Sequence, residues 1–286
     1  MSPWRDEYPR GVDASHNRTP VCLTIAGSDS GGGAGVQADL KAFAACGVHG
    51  TSALTALTAQ NTVGVTLVEA VAPEMIVAQV VAVLDDIGVD AVKVGMLGTV
   101  ETIEAVAAAL DLLPARTPVV VDPVMVAESG ARLLDPGAQD ALIKLILPRA
   151  TVVTPNVPEA RALAGMPAGE GDSAEMEALA RAIHDLGAAA VVITGGHRDH
   201  AIDTLLHAYR LIEIPGERYP DGAAHGSGCT HSSALAAHLA HGFTVDEAAA
   251  AARLVAAASV RDGLRDIGSG PGPVDALGVA ARGPWR

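Results

Sequence analysis

Cysteine is scarce in this 286-residue chain, aromatic residues make up only 2% of it, and the net charge is −14. Each shortage excludes something. Three cysteines, Cys22, Cys46 and Cys229, with no CxxC pair give neither a disulfide framework nor a zinc site. Unpaired thiols suit a reducing cytoplasm. So few rings leave no stacking platform for single-stranded nucleic acid, and the acidic balance opposes any phosphate-backbone binder. No apolar run approaches the roughly 18 residues of a membrane span. The opening MSPWRDEYPRGVDASHNRTP mixes charge, Pro and Gly and has no apolar stretch like that of a signal peptide. Residues 1–20 are therefore expected to be a flexible extension, and 21–286 one domain.

What the chain does have is a core. Hydrophobic residues make up 49% of it, enough to build one large body without disulfide or metal. Short β-branched runs alternate with longer Ala/Leu-rich helical patterns. Strands are expected at 21–27, 52–57, 91–96, 118–122, 151–155 and 190–194. Helices are expected at 36–46, 73–88, 101–112, 138–147, 174–186, 229–241 and 245–262. A polar-alternating surface hairpin is expected over 201–214. This alternation predicts an α/β fold with a mainly parallel sheet covered by helices on both faces. Ligands of such sheets sit beyond the carboxyl ends of the strands. The loops near 27–35, 60–62, 96–98, 122–130, 155–159, 194–198 and 225–229 would open there.

Several of these loops carry residues able to do chemistry. GSDSGGGAGVQAD, 27–39, joins a strand to a helix, where glycines allow close backbone approach and a helix start favours anions. A dinucleotide site is opposed by the lack of any acidic residue between Asp39 and Glu69. A P-loop is opposed by the missing Gly-Lys-Ser/Thr. Asp39 falls at the edge of an apolar helical stripe and needs a polar partner or a ligand. The amide of Gln60 can both donate and accept, and so can pair with an amino group next to a ring nitrogen, although QNT also reads as a plain turn. Asp122 ends a strand in VDPVM. Asn156 and Glu159 lie in TPNVPEA; the carboxylates of Asp122 and Glu159 can hold Mg²⁺ through water, or Glu159 simply sits in the first turn of a helix. ITGGH, 193–197, either offers N–H groups to a phosphate or only turns the chain. In HGSGCT, 225–230, Gly226, Ser227 and Gly228 can form an anion nest just before a helix. Cys229 would then sit where the helix dipole lowers a thiol pKa; the plainer reading is an inert small residue.

In this order TIAGSDSGGGAGVQADLKAF, TALTAQNTVGV, VKVGML, VVVDPVM, ESGARLL, VTPNVPEA, GGH, HGSGCT and the closing GSGPGPV resemble the hydroxymethylpyrimidine/phosphomethylpyrimidine kinases of thiamine biosynthesis, which are ribokinase-like. The resemblance covers about 21–275, and the set of motifs is specific although no single one is. It implies ATP-dependent phosphorylation of 4-amino-5-hydroxymethyl-2-methylpyrimidine, and then of its monophosphate. It further implies Cys229 as catalytic base beside the Gly226 and Gly228 anion hole, and Gly27, Asp39, Gln60 and Met96 around the pyrimidine. Asp122, Asn156, Thr194, Gly195 and Ser227 would serve the nucleotide, and Glu159 the Mg²⁺. A homodimer is implied as well. Many relatives carry Lys where this chain has Thr194, which removes a point charge from the nucleotide phosphates. The rival readings are a pyridoxal or pyridoxine kinase, a non-catalytic pyrimidine-binding protein on the same fold and, more distantly, a dehydrogenase.

Overall fold

A computed structural model describes residues 18–127, 130–167, 169, 171–195 and 201–282. Most of the N-terminal extension, Glu128 and Ser129 of ESGARLL, and Gly196 and His197 of GGH lie outside the described residues.

Among the described residues, nine strands form one sheet in the order β3-β2-β1-β4-β5-β6-β7-β8-β9. They are β1 (Val21–Asp29), β2 (His49–Gln60), β3 (Val65–Ala70), β4 (Ala91–Val94), β5 (Val119–Val121), β6 (Val152–Val153), β7 (Ala190–Ile193), β8 (Asp203–His207) and β9 (Arg210–Ile214). From β2 to β7 every pairing is parallel; β3 on one edge and β8–β9 on the other run antiparallel. The central strands β4, β5, β6 and β7 are short and mostly apolar because both faces are covered. Alternate residues supply the two cores. Val119 and Val121 of β5 join one cluster and Val120 the other.

The first core is closed by α2 (Pro73–Asp86), α3 (Val100–Leu110), α5 (Val157–Ala164) and α6 (Ser173–Asp185), through Ile76, Ile103, Leu163 and Leu179. The second is closed by α1 (Gly35–Ala45), α7 (Ser227–Ala240) and α8 (Val245–Arg261), through Phe43, Leu235 and Ala249. The helix expected at 138–147 is α only over α4 (Ala138–Ala141); it widens to a π-turn over Leu142–Ile146 and tightens to 3₁₀ at Leu147–Arg149.

Three differences from the sequence reading have physical causes. The edge strand β3 was not expected, because VTLVEA is almost wholly exposed and shows no core alternation. Helix α5 was absent from the expected helices, although the plainer reading of TPNVPEA was a helix start. It is closed at the front by a reciprocal Asn156–Glu159 capping box and at the back by Gly165 in the left-handed region. The 201–214 hairpin exists, but β8 is buried rather than superficial. Its Asp203 is sunk beside His231 of α7 at 3.4 Å and Arg253 of α8 at 3.8 Å, so its polarity faces inward.

Candidate active site

The strand ends converge on a cleft of about 910 Å³. Every residue anticipated for the site lines it except Asp39 and Gly195.

The glycine-rich loop after β1 turns several of its donors inward. Asp29 folds its own carboxylate back into the turn and accepts N–H bonds from Gly31 (2.7 Å), Gly33 (3.0 Å) and Ala34 (2.8 Å). The Gln37 amide fastens the same turn through Asp29 N and Ser28 Oγ. The loop is therefore a wall of the cleft, with the donors of Gly31, Gly32, Gly33 and Ala34 already used. Across the cleft, His225 Nε2 lies 3.2 Å from Asp29 Oδ2, which fixes the wall against the start of α7.

That helix start is open. Gly226 adopts φ +86°, and a Cβ there would stand 1.8 Å from the Gly33 carbonyl oxygen, so only glycine fits. Ser227 N donates to Ala224 O, and Thr230 N begins the helical ladder on Gly226 O. The N–H groups of Gly228 and Cys229 belong to the first turn, whose donors have no helical partner and favour an anion. A Cβ on Gly228 would meet nothing within 4 Å. Glycine there keeps the cleft roomy instead of avoiding a clash.

Cys229 reaches the cleft, but the lowered thiol pKa expected from the helix dipole is not found. Burial pushes it up to about 12; the Lys93 ammonium and the Gly35 N–H pull the other way, and the Asp39 and Asp122 charges add to the rise.

Asp39 departs from its expected place. It has no exposed surface and stands behind the cleft, not in it. Its oxygens are taken by Thr24 Oγ1 (2.6 Å), Ser233 Oγ (2.8 Å) and the Lys93 ammonium (2.9 and 3.1 Å). The reason is topological: Thr24 of β1 and Lys93 of β4 are register partners that point to the same face, toward α1. Lys93 is the residue the sequence reading missed. A lysine inside the apolar run AVKVGM was the available signal, because a buried lysine requires a counter-charge.

Asp122 follows β5, hydrogen-bonds Ser232 Oγ at 3.1 Å and stands 3.8 Å from Lys93 Nζ. Burial raises its carboxyl pKa, Lys93 opposes the rise, and Asp39 adds to it. Asn156 and Glu159 do start a helix, the plainer of their two readings, and they line the cleft as well. Glu159 Oε2 accepts from Asn156 N at 3.0 Å and Oε1 from Met125 N at 3.4 Å. Burial, and then the charge of Asp122, push its carboxyl up to about 8. Thr194 lines the cleft and is held by its N–H on Pro155 O. Gly195 does not: its N–H donates to Asp203 Oδ1 at 2.8 Å, and a Cβ would stand 1.9 Å from Ile202 O. Its donor is spent inside the fold.

At the other end of the cleft, Gln60 is pinned to Ser30 through both its N–H and its carbonyl, while its Oε1 accepts from Thr58 Oγ1 at 3.1 Å. Gly27 lies under Met96, whose Cε would be 2.7 Å from a Cβ at that position. The β1–β2 ladder gains an extra β2 residue at this point, between the pairs Ala26–Leu54 and Ser28–Leu57. A flat ring would find an amide at its edge and a thioether beside it.

The family model "Phosphomethylpyrimidine kinase" matches residues 29–275. A curated hydroxymethylpyrimidine/phosphomethylpyrimidine kinase of Rhizobium meliloti is 51% identical over 260 residues, covering 90% of this chain and 96% of that one. Among solved structures, the pyridoxal kinase of Bacillus subtilis in complex with ADP is 38% identical with a TM-score of 0.83, covering 93% of this chain and all (100%) of that one. A phosphomethylpyrimidine kinase of Clostridium difficile is 40% identical with a TM-score of 0.73, covering 82% and 97%. With its parallel sheet, its glycine-started helix carrying Cys229 and this likeness over most of its length, the chain belongs to the phosphomethylpyrimidine kinase family.

Proposed function

We propose that this protein transfers the γ-phosphoryl group of ATP to the hydroxymethyl group of 4-amino-5-hydroxymethyl-2-methylpyrimidine, and in a second step to the resulting monophosphate. One observation carries the reading: the open first turn of α7 with Cys229, and the Gln60–Met96–Gly27 shelf, face a single cleft. On this reading Gln60 pairs with the aminopyrimidine edge, and Gly27 and Met96 pack its faces. Cys229 takes the hydroxyl proton. Gly226, Ser227 and Gly228 present the helix start to the transferring phosphoryl group, so catalysis is mostly positioning and charge stabilisation. Asn156 and Thr194 border the nucleotide side.

The donor set suits Mg²⁺. Glu159 and Asp122 are close enough that the charge of one raises the carboxyl pKa of the other, a strain that a divalent cation relieves. Mg²⁺ keeps much of its water, so these two carboxylates would hold it mainly through hydration. When bound it supplies charge neutralisation on the nucleotide phosphates.

A second reading, pyridoxal kinase, is favoured by the full-length likeness to the Bacillus subtilis enzyme. The deciding experiment is a coupled assay of ADP release with the aminopyrimidine, its monophosphate and pyridoxal as separate substrates. We expect the two pyrimidines to give the higher kcat/KM. A preference for pyridoxal would transfer the assignment, and no turnover with any of them would leave a binding protein.

The homodimer belongs to the same proposal. The β2–β3 edge exposes Leu57 and Leu67 on one face, with Val63 at its turn, a surface suited to a second copy. Light scattering of the purified chain tests it. No helix among the described residues is long and apolar enough to cross a membrane, and the three free cysteines fit a cytoplasmic setting.

A further inference from the structure

Lys93 occupies the middle of β4, fully buried in the wall of the cleft that Cys229 also lines. Its ammonium joins two elements, 2.9 Å to Asp39 of α1 and 3.8 Å to Asp122 after β5, and its charge favours the thiolate of Cys229 on α7. Both carboxylates continue into α7. Asp39 accepts from Ser233 and Asp122 from Ser232, the two residues one turn beyond the thiol. Stability does not account for such an arrangement, because well-packed apolar residues in place of a buried ion pair are commonly as stable or more so.

We propose that Lys93 is a positioning residue for the phosphoryl-transfer site, a fixed positive charge behind the start of α7 that sets the nucleophilic reactivity of Cys229, with Asp39 as the counter-charge that restrains it. The inference rests on the reading of Cys229 as the proton acceptor. It assigns to the buried pair the role that the helix start alone does not fill. The charged groups facing the sulfur are Lys93 from β4, Asp39 from α1 and Asp122 from the β5 end, and His231 lies two residues along α7. Lys93 and Asp39 act on the thiol with opposite sign.

Opposite signs give a test that a merely structural pair fails. Iodoacetamide alkylation of Cys229 is followed in the folded, ligand-free protein at one mildly alkaline pH, by mass spectrometry of the peptide carrying it. Lys93→Met is expected to slow the reaction and Asp39→Asn to speed it, by about three- to tenfold each. Thiolate fraction changes about tenfold per pK unit, and reduced intrinsic nucleophilicity offsets part of that. Equal rates in all three proteins, or shifts in the same direction, overturn the proposal. If Lys93→Met does not fold by circular dichroism, Asp39→Asn decides alone: faster alkylation supports the proposal, and unchanged or slower alkylation overturns it. The measurement uses neither ATP nor pyrimidine, so its outcome is separate from whether the protein turns over either substrate.

Discussion

The Nε2 of His225 stands 3.2 Å from Asp29 Oδ2, linking the turn before α7 to the end of β1 across 196 residues of chain. The contact couples the wall of the cleft to its anion site. His225→Ala should leave the fold intact and lower kcat/KM for the first phosphorylation by roughly tenfold, about 1.4 kcal/mol of transition-state positioning. Steady-state kinetics beside a thermal melt measure both. Burial pushes the Asp29 carboxyl upward, but His225 and the N–H groups of Ala34 and Gly31 outweigh it and hold it below the usual range. A carboxylate depressed in this way contributes stability above its unfolded pKa of about 3.9, and that contribution is lost as pH falls below it. Melting temperature in acid should therefore fall more steeply for the native chain than for Asp29→Asn.

Cys229→Ala tests the base directly. The first step removes a proton from an alcohol, whereas in the second the nucleophile is already a phosphate anion. The first rate should fall about 10²–10⁴-fold, with a much smaller loss in the second. Equal losses would assign the thiol to shape.

Glu159 supplies a pH and metal signature. Its folded-state carboxyl pKa, raised to about 8, lies above its ordinary value. The stability tied to it is complete below about pH 4.3 and is lost as pH climbs through the raised value. Glu159→Gln, which keeps a capping-box side chain, should melt higher than the native chain at alkaline pH and equally at acid pH. Magnesium should raise the melting temperature of the native chain at alkaline pH and have little effect on the variant.

Gly226 and Gly228 make a matched pair. Gly226→Ala places a methyl group against the Gly33 carbonyl at a left-handed φ, and should cost about 1–3 kcal/mol in denaturant melts along with most activity. Gly228→Ala meets open space, so the stability cost is small while the methyl group intrudes where phosphate would sit. Its signature is a raised KM for ATP with an unchanged melt.

Thr194→Lys restores a cation on the nucleotide side of the cleft. A charge-assisted hydrogen bond of about 1.5–3 kcal/mol predicts at least a tenfold lower KM for ATP. An unchanged KM would mean that another group already fills that role.

How much of this was legible beforehand depended on how local each cause is. The alternation of apolar runs located the parallel strands, and the loops at their carboxyl ends carried Gln60, Met96, Asp122 and Cys229 into one cleft. Asp39 was misplaced because helical periodicity sees one element at a time, and the lysine that draws it inward lies 54 residues away. The spent N–H of Gly195 depends on Asp203 across a hairpin, which two adjacent glycines do not disclose. Asp29 was a different kind of miss. Its bonds to Gly31, Gly33 and Ala34 are short-range, of the sort aspartate makes in turns, and the acid inside the glycine run already hinted at them. The raised pKa of the Cys229 thiol reflects depth of burial, which the helix-start motif does not encode.

All the parallel strands point their carboxyl ends at the cleft, so their amino ends form a rim on the opposite edge of the sheet. The turns that feed it, near 87–90 before β4, 111–118 before β5 and 186–189 before β7, stand a full strand length from Cys229. Fluorophores, affinity handles or grafted peptides inserted there would report on the kinase while leaving the catalytic rim bare.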